Sequence, residues 1–291
     1  MHLVVLAVGF GLVTASVLAL ASVGLTLQFG VTNYVNFAFG DFLTVGAYLA
    51  WTSNVQLHLP IWAAALIGAL GMGLAALVIN RLVLQPFVDR RAPLLYLLIV
   101  TFGLSLILNN GVLAIWGPDF QRYAVSSAQP PINVGPFVLT ATQLVIIGVA
   151  CLVMIGVHLL LTRTKLGKAM RAMSDNPDLA RVSGIDTGRV TAFTWFLSGG
   201  LAGLAGVVLA LNITAIQPSF GSEILFVIFA AVILGGIGSA YGAMLGALVI
   251  GLVTEISAVW LSSYKNDVAF AVLILVLLLR PNGLIRSRGK A

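Results

Sequence analysis

The sequence predicts an all-α fold, a polytopic transmembrane helical bundle of about eight to nine spans with its N-terminus outside and its C-terminus inside. Three observations carry that prediction. Sixty per cent of the 291 residues are apolar and only 8% are charged, against about a quarter charged in a soluble domain. Apolar runs recur along the whole chain, each near the ~20 residues that a bilayer crossing requires. The fifteen Lys and Arg residues gather between those runs in three stretches, Arg81 to Arg91, Arg163 to Arg189 and Arg280 to Lys290, with only Arg122 and Lys265 elsewhere. Loops rich in Lys and Arg stay cytoplasmic, so the stretches assign a side to every connection.

Runs at 3–27, 60–82, 94–116, 138–161, 190–211, 240–261 and 267–280 read as spanning helices. The weaker segments 31–51 and 223–236 read as helical too, each either spanning, broken or re-entrant. With the basic stretches inside, the outer loops are 52–59, 117–137, 212–222 and 262–266. Nine crossings, roughly what the length allows, satisfy this alternation, or eight if one weak segment is re-entrant. No Lys or Arg precedes Arg81, so the first run lacks the basic flank of a signal peptide and reads as a retained span. Pro118, Pro130, Pro131 and Pro136 make the 117–137 loop an ordered connector, because proline interrupts helices. The chain is one transmembrane domain, 1–291, with no length left for a soluble one. No internal repeat is visible, although a hidden pseudo-symmetry of the transporter kind is compatible with the pattern.

Composition also excludes functions. The net charge of +6 lies in membrane-flanking loops, not on a folded basic face, which argues against nucleic acid. The single cysteine, Cys151, lies inside an apolar run and offers neither a disulfide nor a metal site. His2, His58 and His158 are scattered, so neither a catalytic constellation nor a metal set can be assembled. The glycine clusters Gly199, Gly200, Gly203, Gly206 and Gly235, Gly236, Gly238, Gly242, Gly246 suit close helix packing. The second lacks the Gly-Lys-Ser/Thr ending of a nucleotide-binding loop. The chain is therefore expected to bind no cofactor itself.

The longest basic loop, 164–189, carries the strongest local signals. Thr164 is placed to cap a helix through Met173, with Leu166, Met170 and Met173 on one face. Asp175 or Asn176 caps a second helix that has Pro177 at its first position and Asp178 at its positive end. Gly184 reads as a left-handed terminator, with Ile185 supplying the accompanying apolar contact. Such a loop is either an ordinary charged connector or a rigid knob that docks into a cytoplasmic partner.

The loop resembles the cytoplasmic coupling loop of permease subunits from bacterial branched-chain amino acid ABC transporters. So do Asn36-Phe37-Ala38-Phe39-Gly40-Asp41, Thr101-Phe102-Gly103-Leu104-Ser105 with Leu108-Asn109-Asn110, Trp116-Gly117-Pro118-Asp119, Leu234-Gly235-Gly236-Ile237-Gly238-Ser239 with Gly242, and Arg280-Pro281-Asn282-Gly283-Leu284. Phe39 stands where the family commonly has His, and Asp41 where it has Glu. The resemblance implies an importer subunit of the bacterial inner membrane that moves leucine, isoleucine or valine. It implies two ATP-hydrolysing subunits as partners, with the ATP bound there, together with a second related permease and an extracytoplasmic binding protein. It places Gly167, Met170, Arg171, Asp178, Ala180, Arg181 and Gly184 in the ATPase-coupling loop. Permeases for urea, short amides or sugars are the near alternatives.

Polar residues within apolar runs are the candidates for a substrate path. Asn33, Asn36, Gly40, Asp41, Thr44 and Tyr48 recur at helical spacing and form a stripe. Asn109 and Asn110 interrupt the fourth run, and Glu255 is the only acid in its stretch, with Gly251 one turn earlier. Buried amides glue helices together, or they offer weak, replaceable partners to a passing polar solute. An ion-coupled carrier would need Asp41 and Glu255 as a paired relay.

Overall fold

The computed structural model describes residues 2–125, 130–281 and 283–285. Asn282, Arg286, Arg288 and Lys290, named above, lie outside the described residues. Helix α1 (His2–Thr32) ends at Asn33, whose φ of 59° turns the chain out of the helix. Residues 33–38 are non-helical, and α2 (Phe39–Trp51) starts fully buried inside the bundle. A π turn at Thr52–Gln56 follows, then α3 (Ile61–Ile79), a second π turn at Asn80–Leu84, and short α4 (Gln85–Asp89). Helix α5 (Leu94–Trp116) leads to an antiparallel hairpin, β1 (Ile132–Val134) and β2 (Phe137–Leu139), which turns on Gly135. The second part runs α6 (Ala141–Arg163), α7 (Lys165–Asp175), α8 (Pro177–Val182), α9 (Thr187–Ile213), α10 (Phe220–Gly235), α11 (Ala240–Leu261) and α12 (Lys265–Leu279).

Among the described residues, six helical stretches are long and apolar enough to cross a membrane: Leu3–Thr32, Ile61–Asp89, Leu94–Trp116, Ala141–Arg163, Thr187–Ile213 and Ala240–Leu279. The last is a hairpin and not a rod. The Leu284 and Ile285 amides donate to Leu234 and Gly235 carbonyls at 2.8 and 3.1 Å, just before α11 begins, so α12 returns alongside α11. Helices α2 and α10 have 13 and 16 residues. At the helical rise they measure about 20 and 24 Å, short of the ~30 Å apolar core of a bilayer. Of the alternatives open for 31–51, the broken one is found, with non-helical residues between Thr32 and Phe39. Asn36 Oδ1 accepts the Ala38 amide at 3.0 Å, a local bond that competes with helix and helps hold the break open.

The breaks expose a symmetry that the sequence conceals. Connectors 33–38 and 214–219 are equal in length. Each opens on a non-glycine residue at φ 59°, Asn33 and Thr214, and each is followed by Phe-Gly at the head of a helix. Packing follows the same exchange: α11 lies on α1 as α3 lies on α9, α10 on α1 as α2 on α9, and α12 on α10 as α5 on α2. Helix α1 runs from Gly9, beside Phe137 of the hairpin, to Gly30, beside Ser174 of α7. Helix α9 starts next to α8 and ends near Ile216, which bridges to Gln121 in the loop after α5. The halves are therefore inverted, the arrangement of many transporter folds.

Small residues bring the helices to backbone contact. A Cβ on Gly68 would lie 2.6 Å from Gly46 O, and one on Gly203 would lie 2.7 Å from Gly68 O, so α2, α3 and α9 meet on glycine. In the other half a Cβ on Gly251 would lie 2.6 Å from Ala15, which draws α11 against α1. Without a hydrophobic drive between helices in lipid, this close approach supplies the dispersion contact that holds them.

Candidate functional site

The two inverted halves touch at the heads of α2 and α10. A Cβ on Gly40 would lie 2.6 Å from Gly221 O, so no larger residue fits there without a backbone shift. The Gly221 amide, at the start of α10, donates to Thr44 Oγ1 at 3.2 Å. Asp41, in the first turn of α2, accepts from Ser105 Oγ of α5, with Asn109 of the same helix close by. Asn109 Nδ2 in turn donates to Pro218 O at 3.1 Å, in the second connector. Asp41 and Thr44 are fully buried, and Asp41 Oδ1 has no partner among the described residues. A carboxylate at a helix N-terminus gains from the helix dipole. This seam therefore ties α2, α5 and the second break together through polar groups in an apolar setting.

The predicted stripe is divided by the break. Asn36 lies in the first connector, with Nδ2 3.4 Å from Gln28 Oε1 of α1, and Ser198 Oγ of α9 approaches the same oxygen at 3.5 Å. Asn33 lines a separate cavity of about 840 Å³ with Tyr34, Arg91, Asp178 and Arg181, away from Asp41. Asn110 is exposed, and its Nδ2 donates to Leu106 O of its own helix at 2.8 Å. Glu255 accepts from Thr14 Oγ1 at 3.0 Å and pairs with Lys265 at 3.6 Å, on a cavity of about 450 Å³ that also holds Glu223. Asp41 and Glu255 share no partner, so the structure does not bring the two acids into one relay. The sequence reading missed Gln28, Ser105 and Ser198. Each is polar inside an apolar helix, a signal that periodicity alone does not rank.

Over 164–189 the local rules operate as the sequence predicts, with adjustments. Thr164 Oγ1 accepts the Gly167 amide at 3.0 Å and caps α7. Asn176, not Asp175, caps α8, accepting the Leu179 amide at 2.9 Å, with Pro177 in the first turn. Gly184 has φ 84°, and the Ile185 amide closes on Ala180 O at 3.1 Å. The face packed on the bundle is Gly167, Met170 and Met173, with Ala180 of α8. Leu166 is exposed, which corrects its place on that face. Gly167, Met170 and Ala180 therefore anchor the knob. Arg171, Asp178, Arg181 and Gly184 are exposed, as are the apolar residues Leu179 and Val182, 63% and 86% accessible. Neither is among the coupling residues that the resemblance implies.

Tyr123, in the loop after α5, locks that loop to α2 by donating to Ala47 O at 3.0 Å. Burial pushes its phenol above the ordinary range, which keeps it a donor.

The family described as branched-chain amino acid transport system / permease component matches residues 7–278. The chain is 32% identical to the high-affinity branched-chain amino acid transport system permease protein BraD of Pseudomonas aeruginosa, over 94% of this chain and 93% of that protein. It is 33% identical to the probable branched-chain amino acid transport permease protein LivH of Methanocaldococcus jannaschii, over 94% and 90%. It is 27% identical to the ribose import permease protein RbsC of Escherichia coli, over 92% and 83%. No solved structure matches the chain.

Proposed function

The chain belongs to the permease-component family of branched-chain amino acid transport systems, and from that membership we propose that it is the membrane-spanning subunit of an ATP-driven importer for leucine, isoleucine and valine. It is not itself an enzyme. Two cassette ATPases hydrolyse ATP, a second related permease completes the path, and an extracytoplasmic binding protein delivers the solute.

The observation that carries this reading is the knob, two capped helices that rest on the bundle through Gly167, Met170, Met173 and Ala180 and present Leu179 and Val182 outward. An exposed apolar pair on a rigid element, flanked in sequence by Asp178 and Arg181, suits a socket on a partner. Orientation follows from charge. Arg91 and Arg181 line one cavity at the knob's end of the bundle, and Arg171 lines another with Gly238 and Ser239, while Lys265 pairs with Glu255 at the opposite end. With the basic end inside, the N-terminus is outside and the C-terminus inside. The chain then makes nine helical passes, roughly the number its length allows, with α2 and α10 partial. The inner membrane of a bacterium is the setting.

The path is placed at the seam of Gly40, Asp41, Thr44, Asn109 and Gly221, where the inverted halves touch. ATP-driven movement of the knob biases which side opens, and it can do so only through contacts that differ between the two states. A permease for a sugar is the second reading, favoured by the likeness to the ribose permease.

The test is uptake of labelled leucine by cells with and without this chain, with ribose as competitor. Leucine uptake that depends on the chain supports the assignment, and ribose uptake in its place overturns it. The double change Leu179→Asp, Val182→Asp should reduce co-purification of the ATPase about tenfold or more while the permease remains folded. Unchanged co-purification would remove the knob from the coupling.

A further inference from the structure

Beneath the knob lies a cavity of about 450 Å³ whose walls come from α1, α6, α7 and the start of α11. That volume is within the ~300–1,000 Å³ of small-molecule sites. Its floor is apolar, with Leu27 and Val31 of α1, Leu161 of α6 and Met170 of α7. Three polar features converge on it. Thr26 lines it at 1% exposure with its Oγ1 unpartnered among the described residues. Arg171 and Asp175, one helical turn apart on α7, both line it, yet neither forms an ion pair among the described residues. Opposite charges at that spacing ordinarily meet on a helix surface. Tyr241 forms a further wall and is held by its hydroxyl 2.9 Å from His158 Nδ1.

A guanidinium and a carboxylate that do not pair with each other, over an apolar floor with an unpartnered hydroxyl in its wall, are complementary to a small zwitterion that carries an aliphatic side chain. We infer that the cavity under α7 is an inhibitory site for a free α-amino acid arriving from the knob's side of the membrane, so that accumulated product restrains the importer. The carboxylate meets the Arg171 fork, the ammonium meets Asp175 and Thr26, and the side chain lies on Leu27, Val31 and Met170. The site sits between α7 and the two helices that carry the inverted halves, α1 and α11. An occupant therefore favours one placement of the knob over another, which is what an inhibitor of coupling requires. The ligand class rests on the importer reading above; the cavity and its charges do not. A phosphatidylethanolamine headgroup offers the same two charges and is the competing source.

The experiment uses the full complex in vesicles of phosphatidylcholine and phosphatidylglycerol, with the knob side facing the bath. Leucine added to the bath should slow ATP hydrolysis several-fold, while leucinamide, which lacks the carboxylate, should not. Thr26→Val and Arg171→Gln should each raise the half-inhibitory concentration about tenfold, the loss expected for a charge-assisted or buried hydrogen bond, with inhibition measured against each variant's own uninhibited rate. Binding of labelled leucine to the detergent-solubilised complex without its binding protein should weaken in step. If leucine changes neither hydrolysis nor binding, the inference falls. It also falls if leucine is silent while added phosphatidylethanolamine changes the rate, since the cavity then holds lipid. Absence of leucine uptake in cells would instead sink the importer reading, and the direct binding measurement would still decide the cavity.

Discussion

The two breaks, at 33–38 and 214–219, have the same backbone and different contents. The first meets the cavity of about 840 Å³ at Asn33 and Tyr34 and is sealed beyond them, at Asn36. Asn36 is fully buried against Gln28, whose Oε1 Ser198 also approaches, and Asp41 is held by Ser105. The second opens toward a cavity, where Gln217 and Ser219 each donate to Glu223 at 2.8 Å in an exposed cluster. Asn36 and Gln217 occupy the same place in their connectors, and both helices begin with Phe-Gly. One inverted architecture has thus been loaded asymmetrically, with a buried polar lock in one half and a wet one in the other. A buried polar group resists opening because breaking it leaves donors unpaired in a medium of low dielectric, whereas water replaces a lost partner at an exposed one. The second break is therefore the one expected to move more easily.

Substitutions can break that comparison, beginning with the contact the halves share. Gly40→Val places a branched side chain where even a Cβ lies 2.6 Å from Gly221 O. It should cost about 3 kcal/mol, seen as a lower unfolding midpoint in detergent and loss of uptake, whereas Gly103→Ala, with nothing within 4 Å, should cause no loss. Equal behaviour of the two variants would mean that the seam is not tightly packed.

The next contrast is between the acids. Asp41→Leu strands Ser105 in a buried setting and should destabilise by about 2 kcal/mol. Glu223→Leu, at an exposed site, should stay within about 0.5 kcal/mol. Equal melting shifts would erase the distinction between a sealed and a wet break. Asn36→Leu removes the bond to Ala38 and the contact with Gln28, and about 1–2 kcal/mol should follow; Gln217→Leu should be milder, measured in the same way.

The smallest effect is expected outside both breaks. Gly184 has φ 84° in open space, so Gly184→Val is strained by backbone alone. It should cost about 1 kcal/mol, detected as weaker ATPase co-purification with the bundle's unfolding midpoint unchanged. A matching fall in bundle stability would show that the knob is part of the bundle's own fold.

Much of the knob was legible because its determinants are local. Thr164, Asn176 and Gly184 act through bonds to residues three positions away, a range that a single sequence displays. The break after α1 was not legible. Asn36 stands four residues before Gly40 and so falls into a helical stripe by periodicity, while its contact with Gln28 appears only once the connector packs back against α1. Glu255 was legible as a lone acid but not as an ion pair, since Lys265 reaches it only across the α11–α12 turn.

Composition and charge placement alone determined that this is a helical membrane protein, which connections share a side, and where its knob lies, because transfer of apolar residues to lipid and exclusion of basic ones act residue by residue. The inversion of the halves, the Gly40–Gly221 contact and the cavity under α7 were decided only by tertiary structure. Each depends on two distant segments meeting, and a glycine at such a meeting place looks the same in sequence as a glycine facing open space.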